Sequence, residues 1–177
     1  ACESLEDVYE NQLKSLSSAL GIEVFLERIE CYDISNVQGT NSVGSMVVLV
    51  HGKINKDEYR RFKIKTVKGI NDPASMAEVI RRRFHNDWEH PSLIVVDGGK
   101  TQLNAAAQVL NELEITIPVV GLAKKNEEIY QVGEKRSLRL PKNSPAILLV
   151  QRIRDEAHRF AISYHRKLRA KAFIPRL

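Results

Sequence analysis

The sequence predicts one α/β domain: a mixed β-sheet, part antiparallel meander and part parallel, with helices on both faces. Three observations carry this reading. Three strand-like segments follow one another between residues 24 and 66, strand-like and helical segments alternate from Asp72 onward, and no internal repeat, low-complexity tract or linker divides the chain. A meander that feeds β-α-β units closes into a single sheet with helices packed on it.

Each element has a local reason. Residues 3–20 place Leu5, Val8, Leu13, Leu16 and Leu20 at helical spacing, and Gly21 ends a helix expected to be peripheral, in an N-terminal segment 1–23. The first strand falls within 24–34, where Ile29-Glu30-Cys31-Tyr32-Asp33-Ile34 alternates, and the turn-prone Ser35-Asn36-Val37-Gln38-Gly39-Thr40-Asn41 follows. Residues 43–51 are apolar enough for a central strand. A hairpin-like connection at 52–57 leads to 58–66, where Tyr59, Phe62 and Ile64 alternate with basic residues. Asp72-Pro73 reads as an N-cap followed by proline at the first helical position. Met76, Val79, Ile80 and Phe84 then form an apolar stripe to about Asn86, with Arg81, Arg82 and Arg83 expected on the solvated face. Ser92 to Val96 is a buried strand ending at Asp97-Gly98-Gly99, and 100–113 is a helix with Leu103, Ala106, Ala107, Leu110 and Leu113 inward. A short strand at 118–122, an excursion hairpin from 127–132 and 137–140, and a long helix from about 144 to 170 complete the order.

Composition bounds the function classes. A length of 177 residues suits one domain, and 43% hydrophobic with 28% charged residues excludes wholesale disorder. No apolar run reaches the roughly 18–20 residues of a membrane-spanning helix, and no signal-peptide core lies near Ala1. Cys2 and Cys31 cannot build a disulfide framework, which points to a reducing compartment, and no His/Cys spacing suits structural zinc. A net charge of +5 is compatible with a polyanionic partner. The missing initial Met and the abrupt Ile174-Pro175-Arg176-Leu177 end suggest a fragment of a longer protein, although N-terminal processing also accounts for the first.

The chemistry-bearing residues gather at strand ends. Asp33 closes the first strand and Asp97 the fourth, where ligands collect in sheets with parallel neighbours. If the two strands are adjacent, the carboxylates face each other and repel unless a cation sits between them, so a divalent metal is the natural guest. The bland alternative is that Asp33 caps a turn and Asp97 caps the helix near Gly99. Asp97-Gly98-Gly99-Lys100 also allows backbone approach to an anion, but it is neither a Walker sequence nor a dinucleotide fingerprint. On the last helix Val150, Ile153, Ala157, Ala161, Tyr164 and Leu168 form the buried stripe. Gln151, Arg154, His158 and His165 border it, which aims His158 at a site shared with the aspartates, although a lone boundary histidine is more often structural. Arg152, Glu156 and Arg159 fall on the far side, where ion pairs between successive turns are expected.

Three stretches together carry a family resemblance: Ile29-Glu30-Cys31-Tyr32-Asp33-Ile34-Ser35-Asn36, Leu93-Ile94-Val95-Val96-Asp97-Gly98-Gly99-Lys100 and Arg154-Asp155-Glu156-Ala157-His158-Arg159-Phe160-Ala161-Ile162. With Gln38-Gly39, Tyr59-Arg60-Arg61-Phe62, Asp72 through Arg82 and Gly121-Leu122-Ala123-Lys124 in order, residues 24–170 resemble the C-terminal nuclease domain of the bacterial UvrC family of excision nucleases. The resemblance implies a ribonuclease-H-like fold that nicks DNA 5′ of a lesion in nucleotide excision repair. It implies a catalytic and metal-binding trio at Asp33, Asp97 and His158, holding Mg²⁺ or Mn²⁺. Asn36, Lys100, Lys124 and Arg154 are candidates for DNA contacts or for support of the trio. The implied partners are damaged double-stranded DNA and the damage-bound UvrB helicase complex, with a monomer in the bacterial cytoplasm and no membrane contact. The family's other nuclease domain, its helicase-contacting region and its helix-hairpin-helix module are not found here, and 171–177 would begin the linker to the last of these. The alternative is a catalytically silent DNA-binding or protein-docking module of the same fold. A mononucleotide-binding domain built on Asp97-Gly98-Gly99-Lys100 is a third reading, without a recognisable base or ribose site.

Overall fold

The computed structural model of the chain describes residues 3–37 and 42–172. Gln38, Gly39, Thr40 and Asn41 of the expected turn, Cys2, and residues 173–177 of the expected linker lie outside them. The elements are α1 (Leu5–Leu20), β1 (Arg28–Ser35), β2 (Val43–Val50), β3 (Lys53–Ile54), a 3-10 turn (Lys56–Glu58), β4 (Arg60–Lys63), α2 (Asp72–Phe84), β5 (Leu93–Asp97), α3 (Lys100–Glu112), β6 (Val119–Leu122), β7 (Glu128–Gln131), β8 (Leu138–Arg139) and α4 (Pro145–Ala172). One sheet orders its strands β3-β2-β1-β5-β6-β7-β8, with β4 beside β2. The meander β1-β2-β4 is antiparallel, while β1-β5 and β5-β6 are parallel. Parallel neighbours need a crossover, and α2 and α3 supply it. Helices α2 and α3 pack together, as do α1 and α4, and α2 and α4 both lie on β1 and β2. The expected mixed sheet with helices on both faces is the fold observed, and no helix of the described residues is long and apolar enough to cross a membrane.

Strands β1 and β2 are buried along almost their whole length, because both faces are covered. That burial makes the polar residues on β1 conspicuous. Glu30 is completely buried, and the Arg83 guanidinium grips it bidentately at 2.7 and 2.8 Å. Arg28 adds a third contact at 2.9 Å, and the Tyr32 hydroxyl donates to the same carboxylate. Arg83 is therefore not on a solvated face as its neighbours suggested. It lies seven residues after Met76, two helical turns, so it shares the core-facing stripe. Arg81, by contrast, is exposed and pairs with Glu112 at 3.1 Å.

Other charged groups also tie elements of the fold together. Glu78 is buried and accepts hydrogen bonds from the Lys65 and Thr66 backbone N–H groups, the Thr66 hydroxyl and Arg82, which hold its carboxyl below its ordinary range. It pins the segment after β4 onto α2. Glu156 does form the expected pair with Arg159, but it also accepts from Tyr59 at 2.8 Å and is buried. Arg152 donates to Gly52 and Gln12 at 2.8 Å each, so it docks α4 on the β2-β3 turn and on α1. Helix α1 is integrated rather than peripheral, because its Leu13 and Leu16 complete the core between α4 and the sheet. The N-cap of α2 is Asn71, whose side chain accepts from Ala74 at 3.1 Å, one residue earlier than expected.

Breaking a buried ion pair on one side strands the other charge. Arg83→Met should therefore cost roughly 3 kcal/mol or more in urea unfolding, and Arg81→Met, at an exposed pair, less than about 1 kcal/mol. Equal losses would show that the Glu30 cluster does not anchor α2.

Candidate active site

The parallel register of β1 and β5 pairs Ile29 with Leu93, Cys31 with Val95, and Asp33 with Asp97. Directly paired residues on adjacent strands point to the same face, and the strands lie about 4.8 Å apart. The two carboxylates are thus side by side at the ends of central strands, where the chain leaves the sheet. Burial, and then the charges of Asp97 and Asp72, push the Asp33 carboxyl up to about 7, while the Ile34 backbone N–H offsets only part of this. Asp97 is also raised by burial, against the opposing charges of Arg154 and His158. These influences locate the neighbours: Asp72 acts on Asp33, and Arg154 and His158 act on Asp97.

Local sequence builds each approach. At Gly98 a β-carbon would lie 2.2 Å from the end of the Gln102 side chain, so with glycine there the Gln102 amide packs directly against the backbone after β5. Gly99 takes a φ of 85°, which favours glycine, and it is the N-cap of α3 with no side-chain capping bond. Asp97 therefore does not cap α3, and its carboxylate remains available to a ligand. On α4, Ala157 sits in the buried stripe, which puts the next residue, the exposed His158, at the border on the β5 side.

The sequence-predicted residues divide into two groups. Asp33, Asp97, His158 and Arg154 come together. Arg154 donates to the carbonyls of Lys124, at 2.9 Å, and Ala123, tying the loop after β6 to α4 while its charge faces Asp97. Asn36 donates to Asp72 at 3.3 Å and accepts from the Ser42 hydroxyl, so it orients a carboxylate. The Lys124 side chain is exposed beside this cluster. Lys100 turns elsewhere: its ammonium donates to the Lys135 carbonyl at 2.7 Å and lies 5.3 Å from the Tyr130 ring. His165 is half-buried on the same helix, with its Nε2 enclosed and unpartnered among the described residues.

Asp72 is the residue that sequence reasoning missed as part of the site. Its role as an N-cap masked it, although Asn71 immediately before it is an equally good cap and leaves Asp72 in the first turn. Among the described residues no three His, Cys, Asp or Glu side chains are already drawn into a closed ligand set. The donor chemistry nevertheless suits a hard divalent cation. Asp33 is raised by burial and then by the charges of Asp97 and Asp72, and Asp97 by burial, so a cation at the pair would replace lost solvation and offset the negative charge around Asp33.

Residues 17–162 match the family model described as the UvrC RNAse H endonuclease domain. The chain is 52% identical over 162 residues to UvrABC system protein C of Chlorobium chlorochromatii, covering 89% of this chain and 26% of that protein. It is 50% identical over 167 residues to UvrABC system protein C of Methanosarcina acetivorans, covering 92% of this chain and 32% of that protein. The chain thus spans about a quarter to a third of the length of these curated relatives. With a mixed sheet in the order read from the sequence and a match over most of its length, the chain belongs to the family of UvrC ribonuclease H endonuclease domains.

Proposed function

We propose that this nuclease domain makes the incision 5′ of a lesion during nucleotide excision repair, using Mg²⁺ or Mn²⁺ held by Asp33 and Asp97. The observation that carries the reading is the direct pairing of these two residues in the β1-β5 register. Family membership supports the nuclease class, and the relatives' shared name, UvrABC system protein C, supports a place in excision repair. The partners would be damaged duplex DNA and the damage-bound UvrB helicase complex, with the domain acting as a monomer in the cytoplasm.

The chemistry such an ion would supply is polarisation of the phosphoryl oxygen and a lowered pKa for a nearby water. The chain's own residues then have separate tasks. Asp33 and Asp97 would hold the ion at the strand ends, on a ladder that fixes their register. Asp72, oriented by Asn36, adds negative charge on the Asp33 side. His158, exposed at the border of α4 and near Asp97, completes the ion's surroundings or carries a proton between the reacting oxygens and solvent. Imidazole favours Mn²⁺ over Mg²⁺, so Mn²⁺ is expected to support the faster reaction. Arg154 braces the loop after β6 next to the scissile position, and the exposed Lys124 there meets a neighbouring phosphate.

Nicking of supercoiled plasmid with Mn²⁺, Mg²⁺ or EDTA tests the proposal. Asp33→Asn and Asp97→Asn should each lower the rate by about 10³-fold or more, as expected for a lost metal ligand. Asp33→Asn should also raise the unfolding free energy of the metal-free protein by about 1 kcal/mol, because it removes a repulsive buried charge. Full nicking by either variant would overturn the assignment.

His158→Gln should slow nicking about 10²-fold with little change in DNA affinity. Asp72→Asn should weaken Mn²⁺ binding about tenfold in calorimetric titration, the scale of a supporting-group loss. Wild-type behaviour of both would confine the site to the aspartate pair.

A further inference from the structure

Helix α4 does not stop where the core stops. Ile153, Ala157 and Ala161 are buried, Tyr164 and Leu168 are half-buried, and Arg166, Lys167, Arg169 and Lys171 are all exposed. After Glu156 the helix contains no acidic residue, and none of these four cations makes an ion pair with a carboxylate among the described residues. Arg166 and Arg169 are three residues apart and Lys167 and Lys171 four apart, the separations at which like charges on a helix repel. A helix C-terminus favours some positive charge, but that effect does not depend on which side of the helix the charge occupies.

The cations here fall on two sides. At 100° per residue, Arg169 lies about 20° and Arg166 about 80° from the direction of His158. Lys167 and Lys171 lie roughly 140–180° away, on the opposite side. The first pair continues the line of the active-site flank outward, about 12 and 16 Å along the axis from His158. Duplex DNA presents a phosphate every ~3.4 Å along each strand, so this reach spans the backbone of several base pairs beside the cut.

We propose that the Arg166–Arg169 side of α4 is a docking surface for the phosphate backbone of the duplex flanking the scissile bond. This inference rests on the proposed nuclease reading, since it takes His158 as the point from which the DNA extends. The surface is independent of sequence and holds the duplex in line with Asp33, Asp97 and His158. Lys167 and Lys171, on the other side, do not touch the bound strand.

Two variants with the same charge change on the same helix test it: Arg166→Gln/Arg169→Gln and Lys167→Gln/Lys171→Gln. Glutamine keeps the helix propensity close to that of Arg and Lys, and circular dichroism checks the fold. Binding of a labelled undamaged duplex is measured by fluorescence anisotropy at several salt concentrations, beside Mn²⁺-dependent plasmid nicking. The arginine variant should bind about tenfold more weakly at 0.1 M salt, with the slope of log affinity against log salt smaller by about 1.8, or 0.9 for each lost phosphate contact. Its nicking at subsaturating DNA should fall with the lost affinity, and the lysine variant should resemble the parent in all respects. Equal weakening by both variants would mean a net-charge effect and would overturn the surface. Unchanged affinity and slope in the arginine variant would overturn it as well. If the parent binds DNA with the predicted asymmetry but never nicks, the docking surface stands and the nuclease reading fails. If the parent nicks through the aspartates while both variants bind normally, the nuclease reading stands and the surface fails.

Discussion

The parallel ladder between β1 and β5 sets two like charges beside each other, and the rest of the domain is arranged so that this can persist. Left alone, Asp33 and Asp97 would favour separation or protonation, and burial makes their proximity worse. What holds them is apolar pairing below: Ile29 with Leu93 and Cys31 with Val95, all buried. A one-residue slip would turn every β1 side chain to the other face. It would also remove Glu30 from Arg83 and leave a buried charge on each side unpaired, so the Glu30–Arg83 pair helps to fix the register. The Asp33–Asp97 pairing is thus carried by apolar residues further down the same two strands.

The opposite face of β1 provides a second lock. Glu30 and Tyr32 point toward α2, where Arg83 closes a bidentate pair, while Cys31 and Asp33 alternate toward α4. Glu78 on α2 binds the backbone of Lys65 and Thr66, which places the start of the helix at a defined distance from the meander. That start carries Asp72 beside Asp33. On the other face, α4 is held along its far side by Tyr59 against Glu156 and by Arg61, whose guanidinium lies 3.9 Å over the Phe160 ring. With that side fixed, the His158 border has only one direction to face.

Much of this was legible in the sequence. The meander, the alternating second half, the aspartates at strand ends and the glycine pair after Asp97 all have local signals of period or turn chemistry. The charged residues that organise the core did not, because their partners are distant in the chain. Arg83 sits in a run of three arginines, and nothing nearby shows that Glu30, fifty-three residues earlier, waits for it. Glu78 gives no local signal of burial, because several of its partners are backbone N–H groups, which leave no trace in residue types. Asp72 was legible as a helix-start residue but not as a neighbour of Asp33, since only the crossover from β4 brings the two together. Lys100 shows the reverse error: its place beside Asp97 suggested a phosphate contact, yet the carbonyl of Lys135 and the Tyr130 ring draw it away.

Under the proposed function, Asp33 and Asp97 would hold a divalent ion at the end of the β1-β5 ladder. Anomalous diffraction at the manganese edge from crystals of this chain soaked in Mn²⁺ tests it most directly. A peak beside the Asp33 and Asp97 carboxylates is expected. A well-occupied peak elsewhere with none at the pair, or no peak while Mn²⁺ binds in solution, would contradict it.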